Sequence, residues 1–209
     1  MGAIEQSNAI FLSISNGKIC RQVLQPSKTS VTRVNKNGKT VHEEFYKGWK
    51  GLITNIGIKE HKEYGKFWCV TLSDKDGDAI LQMNYSSGYS SAFLKTLPNI
   101  DLKSEVNFVP DMKVEGDKKK TTVFITQHGQ PVKWAYTKDS PNGLPQLKQV
   151  KVKGKITWDD SDCSEFLEKM VKDTIIPHLP KGVSTAAAKV PVPAGAEEAD
   201  DVDPNDLPF

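Results

Sequence analysis

Aromatic residues and lysines lie close together along the middle of this 209-residue sequence. Lys66 precedes the pair Phe67-Trp68, and Lys50 follows Trp49. An exposed aromatic ring can stack on a nucleobase, which contributes about 1–3 kcal/mol per base, and a nearby lysine can neutralise a phosphate. The candidate residues for such contacts are Trp49, Lys50, Lys59, Lys62, Lys66, Phe67, Tyr85, Tyr89, Lys118, Lys119, Lys120 and Phe124. Any one of these rings could instead pack against a hairpin or a helix. Taken together, however, the aromatic residues and lysines predict nucleic-acid binding.

Residues that could hold a metal or catalyse a reaction do not fall into known motifs. The histidines, at positions 42, 61, 128 and 178, lack the spacing of a zinc site. The stretch DKDGD at 74–78 resembles the start of a calcium loop, but Tyr85 stands where the twelfth position needs a glutamate. Cys20, Cys69 and Cys163 are far apart, which is typical of reduced, buried thiols. The sequence therefore predicts no metal site, no cofactor and no enzyme activity.

Composition and charge narrow the class of protein further. Apolar residues make up 37% of the chain and charged residues 26%, as in ordinary globular proteins. No apolar run reaches the roughly 18 residues that a membrane span needs, and the N-terminus lacks the features of a signal peptide, so we expect a cytoplasmic protein. Residues 1–181 contain 27 bases and 20 acids, a net charge of +7, whereas residues 182–209 carry −5. A basic body with an acidic end favours a polyanionic ligand and a tail that competes for the same surface.

The order of the predicted elements indicates a mainly β fold. Asn16-Gly17 and Asn37-Gly38 predict two N-terminal hairpins. Three strands then precede a short helix that Pro98 ends, and two more strands follow. This order is typical of the oligonucleotide/oligosaccharide-binding barrel, the OB-fold. Its long first strand must bend, and the glycines at 48, 51 and 57 suit that bend.

Alternation within two of these strands predicts which side chains face outward. In 66–74, Trp68, Val70 and Leu72 form the apolar face, so that Phe67, Cys69 and Thr71 point away from the core. In 121–127, Val123 and Ile125 face inward, which leaves Phe124 outward. We expect the candidate lysines to cluster in the two loops that flank an OB-fold groove.

The C-terminal part of the sequence predicts one more strand, an amphipathic helix and a disordered tail. The strand covers 149–159, and Asp162 with Glu165 resembles a capping box for the helix. The apolar face of the helix consists of Phe166, Leu167, Met170, Val171 and Ile175, and Pro177 ends it. Residues 1–181 thus form the predicted folded domain, and 182–209 the predicted disordered linker and acidic tip.

The last residues, DDVDPNDLPF, resemble the acidic tip of the single-stranded DNA-binding proteins of bacteria and their phages. That resemblance implies an OB-fold body that binds single-stranded DNA in replication, recombination or repair, and a tip that recruits partner enzymes. By position, the tip residues are Asp201, Asp203, Asp206, Leu207, Pro208 and Phe209. The resemblance is specific over these ten residues only, and the N-terminal hairpins have no counterpart in the short bacterial form, which indicates a divergent, phage-type member.

Two other interpretations are compatible with the sequence. The first is an interaction or scaffold protein whose tail docks on a partner and whose body binds no DNA. The second is an OB-containing nucleic-acid enzyme such as a nuclease, which needs a carboxylate cluster that the sequence does not reveal. The oligomeric state is left open by all three.

Overall fold

The computed structural model describes residues 9–35, 38–116, 118–152 and 155–180, and over these residues the protein is mainly β. The strands are β1 (Ile10–Ser15), β2 (Lys18–Val23), β3 (Val31–Val34), β4 (Thr40–Tyr46), β5 (Trp49–His61), β6 (Gly65–Asp74), β7 (Gly77–Asn84), β8 (Val106–Glu115), β9 (Lys118–Gln127), β10 (Gln130–Pro131), β11 (Lys148–Val152) and β12 (Lys155–Asp159). The helices are α1 (Gly88–Thr96) and α2 (Ser161–Met170). No helix of the described part has the length and apolar character to cross a membrane.

Ten of the strands form one mixed sheet in the order β10-β9-β8-β5-β6-β7-β1-β2-β4-β3, and β11 pairs with β12 alone. The predicted hairpin at Asn16-Gly17 is confirmed, because both residues have positive φ (49° and 71°) in the turn between β1 and β2. A second hairpin joins β3 to β4. These hairpins extend the main sheet, since β1 pairs in parallel with β7 and brings Leu12 opposite Leu81.

Strand β5 is the longest and joins two parts of the sheet. Its first three residues pair with β8, and the stretch from Leu52 onward pairs with β6, with a register shift between Ile53 and Asn55. Space for a side chain is tight at Gly51, because an added Cβ would lie 3.0 Å from the Leu72 Cβ and 3.2 Å from the Ser73 carbonyl oxygen. At Gly57 an added Cβ would meet nothing within 4 Å. Close packing therefore disfavours a side chain at Gly51, whereas Gly57 has room for one.

Helix α1 lies between β7 and β9. The Ser87 side chain caps it by accepting a hydrogen bond from the Ser90 N–H at 3.2 Å. The helix packs so closely on β9 that a Cβ at Gly88 would lie 2.4 Å from the Thr121 carbonyl oxygen. From the same helix, the Tyr89 hydroxyl accepts a hydrogen bond from the Gly17 N–H at 3.1 Å. Helix α1 thus contacts both the β1–β2 turn and strand β9.

The sheet curves enough to bring its N-terminal strands back toward β8. The β1–β2 turn touches β8, where a Cβ at Gly17 would lie 2.7 Å from the Met112 backbone nitrogen. Among the described residues, however, the hydrogen-bonded strands run from β10 to β3 without closing into a ring. The prediction of a mainly β fold is confirmed, and closure into an OB-fold barrel stays a prediction.

One apolar cluster extends from Leu12 of β1 to Ile175 after α2. Trp68, Phe93 and Phe108 are its largest fully buried side chains. The predicted facing is confirmed for β6 and β9, because Val70, Leu72, Val123 and Ile125 are also buried whereas Phe124 is exposed. Cys69 lies on the face opposite Trp68, as predicted, but it is buried there beside Gln82, and burial raises the pKa of its thiol.

The C-terminal elements differ from the prediction in two ways. The single strand expected over 149–159 is a hairpin of β11 and β12. Helix α2 begins at Ser161 after Asp160, which makes no side-chain capping bond, so the capping box at Asp162 and Glu165 is wrong. The helix continues as a π-helical segment, Val171–Ile175, and a 3-10 turn, Ile176–His178, that contains Pro177.

The buried position of Trp68 leads to a stability prediction. Its indole N–H has no hydrogen-bond partner among the described residues, so apolar packing alone holds the ring. We expect Trp68→Ala to lower the free energy of unfolding by about 3–5 kcal/mol. Trp68→Phe should cost much less, because it keeps an aromatic ring and removes an unpaired donor.

Denaturant unfolding monitored by circular dichroism measures these differences. Phe67→Ala is the matched control, because Phe67 is next to Trp68 in β6 but points to the other face and is only half-buried. A loss as large for Phe67→Ala as for Trp68→Ala contradicts the assignment of the two faces.

Candidate nucleic-acid interface

The outer face of β5, β6 and β7 carries a row of three side chains that lie directly opposite one another. Lys59 of β5 faces Phe67 of β6, and Phe67 faces Asn84 of β7. Lys59 is exposed and Phe67 half-buried. Opposite residues of antiparallel strands lie on the same face with their Cβ atoms about 5 Å apart. A cation, an aromatic ring and an amide therefore lie side by side, which suits a phosphate, a base and a base edge.

The next row on this face is lower, because it contains a glycine. Gly57, Cys69 and Gln82 lie opposite one another, and a Cβ at Gly57 would meet nothing within 4 Å. The missing side chain leaves a shallow space beside the Phe67 row. This space is confined to Gly57, because Cys69 and Gln82 of the same row are buried.

Two further aromatic residues on this face were not predicted from the sequence. Phe11 of β1 lies opposite Ile80 of β7, which in turn lies opposite Thr71. Phe45 of β4 lies opposite Cys20 of β2 and is 36% exposed. Alternation could have revealed Phe11, since it directly precedes the buried Leu12. It could not have revealed Phe45, which shares its face of β4 with the buried Val41 and Glu43. The aromatic residues thus continue from β6 across the N-terminal strands.

Strands β8 and β9 present another exposed aromatic residue with lysines on the same face. Phe124 lies opposite Val109 and is 53% exposed. Farther along this face, Lys120 lies opposite Lys113, and Lys118 lies opposite Glu115. The Lys120 ammonium donates to the Glu115 carboxylate at 2.8 Å, which lowers the pKa of Glu115. Lys119 occupies the other face of the same strand, opposite Val114.

The expectation that the lysines cluster in two loops is wrong. Lys118, Lys119 and Lys120 begin strand β9. Lys50 and Lys59 lie in β5 and Lys66 in β6, so that Lys62 alone of the candidate lysines lies in a turn. The reason is that tight turns join these strands and leave no long loop. Successive side chains of a strand point to opposite faces of the sheet, so the direction of each of these lysines is better defined than it would be in a loop.

Three of the aromatic residues that were predicted to contact nucleic acid make contacts within the protein instead. Tyr89 is buried in the core. Trp49 is half-buried and packs edge-on against Tyr46, with ring centroids 5.3 Å apart. Tyr85 stacks on the buried Trp68, with centroids 5.8 Å apart and planes 5° from parallel. Lys50 forms an ion pair with Glu105, and its ammonium lies 2.6 Å from the Glu105 carboxylate.

Helix α2 fixes Tyr85 at the edge of an open groove. The Tyr85 hydroxyl donates to Glu168 at 2.8 Å, and the Lys66 ammonium lies 5.6 Å from the centre of the Tyr85 ring. Burial, followed by the hydrogen bond to Glu168, raises the pKa of Tyr85 far above its usual range. The groove has a volume of about 580 Å³, and its lining comprises Lys66, Tyr85, Ser86, Asp160, Ser161, Ser164, Glu165, Glu168, Lys169 and Lys172.

The predicted partner-binding residues lie outside the described part of the chain. They are Asp201, Asp203, Asp206, Leu207, Pro208 and Phe209. Within the described part, no three histidine, cysteine or acidic residues lie close enough to hold a metal ion.

Comparison with known proteins adds no family to this picture. The chain matches no protein-family model, no curated protein and no solved structure.

Proposed function

We propose that this protein binds single-stranded DNA independently of sequence and protects it during replication, recombination or repair. The observation that carries the proposal is the row of Lys59, Phe67 and Asn84 on the outer face of β5–β7, with the open space at Gly57 beside it. Ring stacking tolerates every base, and lysines bind the backbone without reading sequence. This combination suits an unpaired strand, whose bases are accessible, better than a duplex.

An OB-fold core is part of the proposal. The order β5-β6-β7-α1-β8-β9 is three strands, a helix and two strands, and β5 pairs with both β6 and β8. OB-folds bind oligonucleotides on the face of their second and third strands. In this chain those strands are β6 and β7, and β6 carries Phe67. The position of Phe67 on the second of these strands supports the proposal.

The acidic tip is proposed to recruit partner enzymes. Its support is the sequence alone, since residues 182–209 carry −5 and end in Leu-Pro-Phe. A terminal ring that fills an apolar pocket, with acids that meet basic residues around it, is a compact binding element.

Salt dependence tests the binding mode. With about 4–6 phosphates neutralised, a plot of log affinity against log salt should have a slope of about −3 to −4 for oligothymidylate. Fluorescence anisotropy at several salt concentrations measures it. No affinity for single strands, a flat salt response or a preference for duplex DNA contradicts the proposal, and the first result favours a scaffold protein.

Substitution of Phe67 tests the stacking platform. Phe67→Ala should raise the dissociation constant for oligothymidylate by about 5- to 150-fold, since one stacked base contributes about 1–3 kcal/mol. Phe67→Tyr should bind nearly as wild type, because it keeps the ring. Leu24→Ala is the control, as Leu24 is fully exposed between β2 and β3. Equal affinity of Phe67→Ala and wild type excludes this ring from the interface.

Removal of 201–209 tests the tip. The deletion takes away Asp201, Asp203, Asp206 and the apolar end but no residue of the described sheet, so the melting temperature should not change. Affinity for single-stranded DNA should stay equal or increase, because an acidic competitor is gone. Capture of a helicase, polymerase, primase or recombination enzyme from host lysate should be lost.

Single substitutions sharpen the same experiment. Phe209→Ala should reproduce most of the loss of capture, whereas Val202→Ala should keep it. Identical captured proteins for the intact and truncated baits contradict a recruiting role.

A further inference from the structure

The β11–β12 hairpin is a basic element separate from the main sheet. It forms a two-stranded sheet of its own between the link that follows β10 and helix α2. From Lys148 to Lys155 the sequence is KQVKVKGK, which has four lysines and no acid. An isolated two-stranded ribbon is marginally stable in water, so its persistence depends on what its base and its faces contact.

The base of the hairpin is held by helix α2. Lys148 in β11 forms an ion pair with Asp162 of the helix. On the other strand, Asp159 accepts hydrogen bonds from the Ser161 N–H at 3.0 Å and from the Ser161 hydroxyl. Helix α2 is itself anchored in the core through the buried Leu167, and the π-helical segment that continues it is anchored through Val171. These contacts connect the root of the hairpin to the first turn of α2.

One face of the hairpin joins a lysine to apolar side chains. Lys151 lies opposite Ile156, and Gln149 lies opposite Trp158, so the four residues share a face. Ile156 is 70% exposed, Lys151 is exposed and Trp158 is half-buried. A positive charge beside an exposed branched side chain and an indole repeats the chemistry of the Lys59–Phe67 row.

The root of the hairpin also lies close to the start of strand β6. Asp160 and Ser161, which follow β12, line the same groove as Lys66 and Tyr85. Lys66 directly precedes Phe67 in β6. Because side chains alternate along a strand, Lys66 and this groove lie on the face opposite Phe67, near the start of β6.

We infer that the β11–β12 hairpin is a second contact arm for single-stranded DNA, in which Lys151 meets a phosphate while Ile156 and Trp158 pack against bases or sugars. This inference rests on the proposed function and extends its site beyond the sheet. The positive charge of the hairpin favours a polyanion, and the apolar side chains favour one with exposed bases.

Binding by the full-length chain to an oligothymidylate about 30 nucleotides long tests the arm, because a single OB-fold covers about 4–16 nucleotides. Lys151→Glu should raise the dissociation constant about tenfold and reduce the steepness of the salt slope by about 0.7, as expected for one lost phosphate contact. Ile156→Ser should raise it about threefold with the slope unchanged. Lys28→Glu is the matched control, with the same charge change at an exposed lysine between β2 and β3, and should bind as wild type.

Cross-linking of the wild-type protein supplies a measurement that no folding defect can affect. An oligonucleotide with 5-iododeoxyuridine should cross-link to the peptide containing Trp158 as well as to the one containing Phe67. If wild type and Phe67→Ala differ in affinity but both hairpin variants match wild type and the Trp158 peptide stays free, the arm is refuted and the proposed function stands. If wild type binds no single-stranded DNA, the proposed function fails and the arm with it.

Discussion

The division of β5 between two partners is the constraint on which the structure depends. Its first three residues pair with β8 and the remainder with β6, so one strand belongs to both halves of the sheet. The close approach at Gly51 and the register shift after Ile53 make that change of partner possible. Because β5 turns from one half to the other, the two halves face a common core that contains Trp68 and Phe108. The outward side chains then become available for binding.

The outer face gains its shape from contrasts between neighbouring rows. The Phe67 side chain lies next to the row that contains Gly57, and Lys59 adds a positive charge beside the ring. The candidate aromatics that are not exposed serve the interior: Tyr89 holds the N-terminal turn, and Tyr85 covers Trp68 while its hydroxyl binds helix α2. A single residue type thus serves stability or binding according to the face on which it lies. The face and the neighbouring element decide between the two, because Phe67 and Tyr85 are both half-buried.

Local patterns in the sequence predicted the parts of this fold that local forces determine. Asn16-Gly17 predicted its hairpin because few other residues accept positive φ, and period-two alternation placed Trp68 and Phe67 on opposite faces. The pairing of β1 with β7 joins residues far apart in sequence, so no local pattern announces it. The hairpin of β11 and β12 was missed since lysines are poor strand formers and the turn signal is weak. The engagement of Tyr85 depends on where α2 docks, which the amphipathic pattern of the helix does not specify.

The parallel pairing of β1 with β7 has a consequence for synthesis on the ribosome. Ile10 leaves the ribosome early, yet its partner Ala79 follows roughly 70 residues later, or several seconds at ordinary translation rates. Until then the hairpin of β1 and β2 exposes an unpaired strand edge and the apolar side chains of Leu12 and Ile19, which become buried only in the complete sheet. The nascent chain therefore passes through an interval in which its first hairpin is open to wrong partners. Slower translation between β2 and β7 lengthens that interval, and a chaperone that covers apolar strand edges shields it.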